Sequence, residues 1–354
     1  MKLCVRDSWF DPVAPDVLLH DHNSEADTLA HLHALDKKLS EWQQKAQLPN
    51  CWYLTSAAEV NVLLDPILQQ WLAKKAQQGF RLEFLGSACT SWHAAILEFS
   101  QSSLQDVLVL QLELNKDRQQ DCLDCLGIGI QPEQYGLDAV TGVALSWLSK
   151  TPTAGDQAHI LDCDLLSQPA SLVGMPRLIH MVRKRLNSSP NAAVVSFDIH
   201  SRWGKQLFRG FGDHPKSWLA SLELCGHHFL SIKPVREMHR YLLQQQRNEV
   251  WLLTLGGGGR IGCLRLGQPD TSADEFVVRP VHREVLTMET SLRQFQSALQ
   301  VKQHSSAAFY PMVRSAMTYP QKHFRGHHNQ VFYWQSDSQW SSLSEHYGVQ
   351  YGEA

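Results

Sequence analysis

The sequence lacks any apolar run approaching the ~18–20 residues that a membrane-spanning helix needs. Its opening residues, "MKLCVRDSWFDPVAPD", carry no apolar core of the kind found in a secretory leader. Excess charge is also missing. Lys and Arg number 32 against 35 Asp and Glu, a net charge of −3. There is therefore no global electrostatic reason to expect nucleic acid or an anionic membrane as partner. Cysteine is present but unpatterned: Cys4, Cys51, Cys89, Cys122, Cys125, Cys163, Cys225 and Cys263 are scattered. Only Cys122 and Cys125 are close, in "CLDC", and no second pair stands at zinc-site spacing, so no metal is expected. In a chain this long without a leader, a disulfide framework is not expected either. From these absences a reduced, cytoplasmic protein without membrane insertion is expected.

What is there is a core-forming composition, 43% hydrophobic and 19% charged over 354 residues. Residues 24–47 read as an amphipathic helix with a serine start signal. "CWYLTS", "RLEFLGSA" and the strongly apolar "DVLVLQLEL" read as strands, with helices at "LLDPILQQWLAKKAQQ" and "TSWHAAILEFSQSSL". "AVTGVALSWLS" reads as a further strand before a break at "TPTAGD". After the break come a strand in "AHILDCDLL", a basic helix in "VGMPRLIHMVRKRLNSS" and a strand in "NAAVVSFDI". They are followed by helices in "SRWGKQLFRGFG" and "KPVREMHRYLLQQQ", then strands in "EVWLLTLGGGG" and "RIGCLRLG". The two parts repeat in topology. In each, a strand enters a turn, then a helix, an apolar strand and a closing strand follow. The turn is "SACTSW" in the first part and "LCGHHFLS" in the second. This predicts an α/β fold of two duplicated halves, 1–150 and 151–267, with mixed sheets and buried helices. Residues 268–354, rich in Ser, Gln and His, form a C-terminal extension.

Four features of this pattern carry chemistry. Cys89 opens a helix after the small residues Gly86, Ser87 and Ala88. Unpaired N–H groups and the dipole at a helix start favour a thiolate. Read alone, Cys89 is equally a small buried hydrophobe. His200 ends an apolar strand, and His227 follows Gly226 at the turn matching that of Cys89. Each is also an ordinary turn histidine. "LGGGGRIG" ends a strand in glycines, which admit close backbone approach and present an N–H as an oxyanion donor. It precedes a strand rather than a helix, which excludes a phosphate-binding loop. "HFRGHHNQ" groups His323, His327 and His328 without an accompanying carboxylate or cysteine, and reads as polar surface.

The order Cys turn, strand-end His, Gly-His turn and glycine hairpin resembles the ketoacyl synthase III branch of the thiolase-like condensing enzymes. In that family the nucleophile lies in an "AC" turn, here "SACTSW". The base lies in a "PHQAN"-like motif, here "DIHSRW", and the third residue in "GN", here "GH". "YGLDAVTGVALSWLS" resembles its "FGDGAGAVVL" strand, and "TLGGGGRIG" its closing hairpin. The resemblance covers residues 1–267. It departs where His227 replaces the usual asparagine and where Ser201, Arg202 and Trp203 replace "QAN".

The resemblance implies a β-ketoacyl synthase-like acyltransferase of thiolase-like fold. Cys89, His200 and His227 would be catalytic, with an oxyanion hole at the N–H groups of Cys89 and Gly257. It implies acyl-CoA or phosphopantetheine-linked acyl groups as substrates, an acyl carrier protein or CoA thioester as partner, and no permanently bound cofactor. A homodimer, or a heterodimer with a thiolase-like homologue, is expected. Arg202, Lys205 and Arg209 fall on one face of the helix after His200 and suit a phosphopantetheine or acidic carrier. Arg183, Lys184 and Arg185 are a second basic candidate. Two alternatives stay open: acyl transfer to an alcohol or amine without decarboxylation, and a non-catalytic subunit of a heteromeric complex.

Overall fold

The computed structural model describes residues 2–11, 24–57, 65–85, 87–114, 138–167, 174–190, 192–195, 218–219, 227–256, 260–269 and 276. Their twelve strands are β1 (Leu3–Phe10), β2 (Cys51–Thr55), β3 (Arg81–Leu85), β4 (Asp106–Glu113), β5 (Asp138–Ala139) and β6 (Gly142–Ser149), then β7 (Ala158–Ser167), β8 (Ala193–Val195), β9 (Trp218–Leu219), β10 (His227–His228), β11 (Glu249–Gly256) and β12 (Arg260–Gly267). The helices are α1 (Ser24–Lys45), α2 (Pro66–Gln77), α3 (Ser91–Gln101), α4 (Gly174–Leu186) and α5 (Lys233–Met238).

Ten strands form one mixed sheet in the order β3-β2-β4-β6-β1-β7-β12-β11-β8-β9. From its middle outward, each half runs first strand, fifth, fourth, second, third. The orientations repeat as well. β2 is parallel to β3 and β4, as β8 is to β9 and β11; β6 is antiparallel to β4 and β1, as β12 is to β11 and β7. The halves join where β1 and β7 pair antiparallel, Leu3 with Ile160 and Val5 with Ala158. The duplication expected from the sequence is thus present strand for strand.

Burial on both faces explains the apolar strands. In β4, Val107 and Val109 face a central cluster, while Leu108, Leu110 and Leu112 face an outer one. In β11 the same alternation sends Val250 and Leu252 inward and Trp251 and Leu253 outward. The outer cluster of the first half is covered by α1 through Leu32, Leu35, Leu39 and Trp42, a stripe at helical spacing, and by α2 through Leu68, Trp71 and Leu72. The outer cluster of the second half is covered by α4 through Leu178, Val182 and Leu186. Helices α3 and α5 occupy the centre, α3 packing on β2 and β4 of one half and on β7 and β12 of the other.

Some boundaries differ from the sequence reading. The second helix starts at Pro66, because the Asp65 carboxylate accepts the N–H groups of Ile67 (2.9 Å) and Leu68 (3.1 Å) and proline fits the first turn. It ends at Gln77, and the chain turns away at Gly79, whose φ of +93° a side chain would resist. The "AVTGVALSWLS" segment divides into β5 and β6. The "KPVREMHRYLLQQQ" helix is α5 followed by a π-helical turn, His239–Gln244. That wider turn accompanies a 2.8 Å bond between His239 Nε2 and Ser8 Oγ of β1, while Tyr241 and Leu242 stay buried.

Asp65 also meets Thr28 of α1 at 3.4 Å and is buried, so it ties the two outer helices together. Asp65→Ala is expected to lower unfolding free energy by about 1–2 kcal/mol, read from urea midpoints. Asp65→Asn keeps most of the cap, and an equal loss in both variants would show that the cap is not the cause.

Candidate active site

The segment Ser87 to Ser91 is rich in hydroxyls because a buried helix start needs partners for its backbone. Thr90 N–H donates to the Ser87 carbonyl at 3.0 Å, the Ser87 N–H to Ser91 Oγ at 2.9 Å, and the Ser87 and Thr90 hydroxyls meet at 3.0 Å. Ser91 Oγ in turn donates to the Ser56 carbonyl just past β2, at 3.3 Å. Cys89 sits in the resulting 3-10 turn, Ala88–Thr90, at the mouth of α3, and is 6% exposed. The turn packs against the one at Leu230–Ile232, against β11 and against β12.

In the duplicated topology the Cys89 turn follows β3, and the Leu230–Ile232 turn follows β9 and β10. The two turns hold equivalent places in the two halves and meet at the centre. β10 places the His227 backbone three residues before Leu230, paired in parallel with Asp138 of β5. The structure thus sets the cysteine turn against Leu230–Ile232, which begins three residues after His227, and against β11, the strand that leads toward the glycines; Gly226 lies outside the described residues. His200, Gly257, Arg202, Lys205 and Arg209 lie outside the described residues, as do Cys122, Cys125, His323, His327 and His328. The second basic candidate lies on α4, in the outer layer, away from α3. There Arg185 is engaged with Asp164 at 2.5–2.7 Å. Among the described residues no group of three or more His, Cys, Asp or Glu is placed to hold a metal, and no helix is long and apolar enough to cross a membrane.

Two side chains that the sequence reading passed over belong to this region. Glu113, the last residue of β4, is fully buried. It accepts the Ala57 N–H at 2.7 Å, the Ser56 hydroxyl at 3.2 Å, and both the N–H (3.2 Å) and the hydroxyl of Ser231. Burial pushes its carboxyl above the usual range, and these four donors offset part of that. Gln111, two residues back on the same face, donates to the Ser231 carbonyl. The signal was available: period-2 alternation puts Gln111 and Glu113 on the face of Val107 and Val109, toward the centre.

His93 lies one helical turn beyond Cys89. It is wholly buried, and its ring lies flat on Gly262 of β12, where an added Cβ would stand 2.6 Å from the ring. Among the described residues neither ring nitrogen has a partner at full hydrogen-bonding geometry, the Leu252 backbone being the polar group that acts on the ring. Burial, offset only in part by the Leu252 backbone, holds the imidazole down to about 3.

No protein-family model and no curated protein matches the sequence. Solved structures do resemble the fold. ChlB3, an acyltransferase, superposes with a TM-score of 0.50 at 12% identity, over 76% of this chain and 98% of its own. A cerulenin-bound variant of OleA from Xanthomonas campestris superposes with a TM-score of 0.51 at 12% identity, over 75% and 97% respectively. At that identity the likeness carries architecture: the chain has the thiolase-like fold.

The His93 environment sets a pH dependence. The unfolded imidazole takes a proton near pH 6.5, whereas the folded one refuses it until about pH 3. Its contribution is full above pH 6.5 and is lost as pH falls toward 3. His239, held down to about 4 by burial, acts in the same direction. Urea unfolding at pH 7.5 and 4.5 is expected to show a stability difference smaller by about 2–3 kcal/mol in His93→Phe than in wild type. An unchanged difference would remove His93 as its source.

Proposed function

We propose that this chain is an acyl-transferring condensing enzyme, of the ketoacyl synthase III-like kind, in which Cys89 carries the acyl group. The observation that supports it most is the meeting of the Cys89 turn with the turn that follows His227, beside the strand that leads into the glycine hairpin. The likeness of fold to an acyltransferase is consistent with it.

In this reading the Cys89 sulfur attacks the carbonyl carbon of an acyl thioester. The bond from that carbon to the donor sulfur breaks, and the departing thiolate takes up the proton that Cys89 gave up. N–H groups of Cys89 and Gly257 hold the oxyanion. His200 and His227 then hydrogen-bond the thioester carbonyl of a malonyl-type donor. Loss of carbon dioxide leaves an electron pair on its α-carbon, which attacks the acyl carbonyl and releases Cys89. Arg202, Lys205 and Arg209 receive the phosphopantetheine or an acidic carrier. A second reading omits decarboxylation: His200 deprotonates an alcohol or amine that takes the acyl group directly. The Ser201-Arg202-Trp203 sequence, where the family has "QAN", favours it. A dimer is part of the proposal in either case.

The test is intact-mass measurement after incubation with acetyl-, hexanoyl- and palmitoyl-CoA. One acyl increment is expected on wild type and none on Cys89→Ala. Malonyl-CoA should then discharge the adduct with release of carbon dioxide, whereas discharge by an alcohol or amine alone would select the second reading. An adduct of equal yield on Cys89→Ala would sink both.

A further inference from the structure

Every polar group of Ser231 is held by one strand of the other half. Its N–H and hydroxyl go to Glu113 and its carbonyl to Gln111, both on the inward face of β4. The residue before it, Leu230, has φ +47°, a left-handed conformation that is costly for a leucine and is kept only where surroundings impose it. The same Glu113 carboxylate grips the segment after β2 through the Ser56 hydroxyl and the Ala57 N–H. Ser56 passes that connection on, because its carbonyl receives the Ser91 hydroxyl and Ser91 holds the Ser87 N–H at the Cys89 turn. A continuous series of hydrogen bonds thus runs from the cysteine turn to the turn after His227, and Glu113 is its junction.

We infer that Glu113 is a positioning residue for the second step of the reaction. It fixes the His227 side of the site against the Cys89 side, with no contact of its own with substrate. The inference rests on Cys89 carrying the acyl group. The asymmetry of the network makes it specific. The Cys89 turn keeps its own bonds through Ser87, Thr90 and Ser91 when Glu113 is altered, and α3 continues to support it. The Leu230–Ile232 turn keeps a backbone bond of its own, from the Ile232 N–H to the Phe229 carbonyl at 3.0 Å, but its serine is engaged across the interface between the halves rather than within the turn. Altering Glu113 should therefore spare loading of Cys89 and impair the step that uses the His227 side.

The test uses Glu113→Gln, which keeps the shape but points an amide donor at donors, and Ser231→Ala, which removes one partner from the other side. Two readouts are taken on the full chain. The first is amide hydrogen exchange. Peptides spanning 227–232 should exchange about tenfold faster or more in both variants, while peptides in α1 and α4 are unchanged. The second separates the steps: loading by hexanoyl-CoA within about threefold of wild type, and discharge by malonyl-CoA slowed about tenfold or more. Unchanged exchange at 227–232 overturns the inference, as does equal slowing of both steps. If wild type takes no acyl group at Cys89, the functional proposal fails by itself, and the exchange result decides whether Glu113 couples the two segments. Glu113→Asp, which restores the acceptor at shorter reach, should recover part of both effects; no recovery counts against the positioning role.

Discussion

A helix walled by sheet on two sides has no water to turn to, and α3 is in that position. Every polar group near it must find a partner inside the protein or remain costly. This explains why the start of α3 is built from Ser87, Thr90 and Ser91 rather than from one capping residue, and why these hydroxyls bond to each other and to the Ser56 carbonyl. It also explains why a glutamate can end β4 in the centre of the molecule. Glu113 brings in four donors, which no apolar residue would satisfy. The central layer is therefore apolar over most of the contact between the halves and polar where Glu113 meets Ser231, close to the Cys89 turn.

The duplicated topology supplies the geometry of that part. Because β1 and β7 pair antiparallel at the middle, the halves are related by an approximate twofold, and segments in equivalent positions face one another across it. The turn after β3 and the turn after β9 and β10 are one such pair. One holds a cysteine, the other follows a pair of histidines. A duplicated unit thus presents two different side-chain sets to a common space without any long excursion of the chain.

The fold was largely legible in the sequence because its strands are short apolar runs bounded by turns, and because strand order repeats between halves. β4 shows where that legibility ends. "DVLVLQLEL" reads as a uniformly buried strand, and it is buried from Val107 onward; but Gln111 and Glu113 were absorbed into the apolar reading, although their spacing puts them on one face. Their partner, Ser231, is 118 residues away from Glu113, and no local pattern announces so distant a contact. The same holds for His239, whose partner Ser8 lies 231 residues away. Cys89 and His227 stand out in the sequence because each follows small residues, a local signal. The residues that hold those turns in place carry only long-range information.

The contact between His93 and Gly262 has a consequence of another kind. A ring from the first half lies against bare backbone of the second, so each position dictates the size allowed at the other. Two copies of an ancestral unit that diverged freely would not stay matched at such a point. Once the flat ring and the missing side chain had been fixed opposite each other, the halves became unequal parts of one object. Exchange between them, by recombination or by design, would have to carry both residues across together.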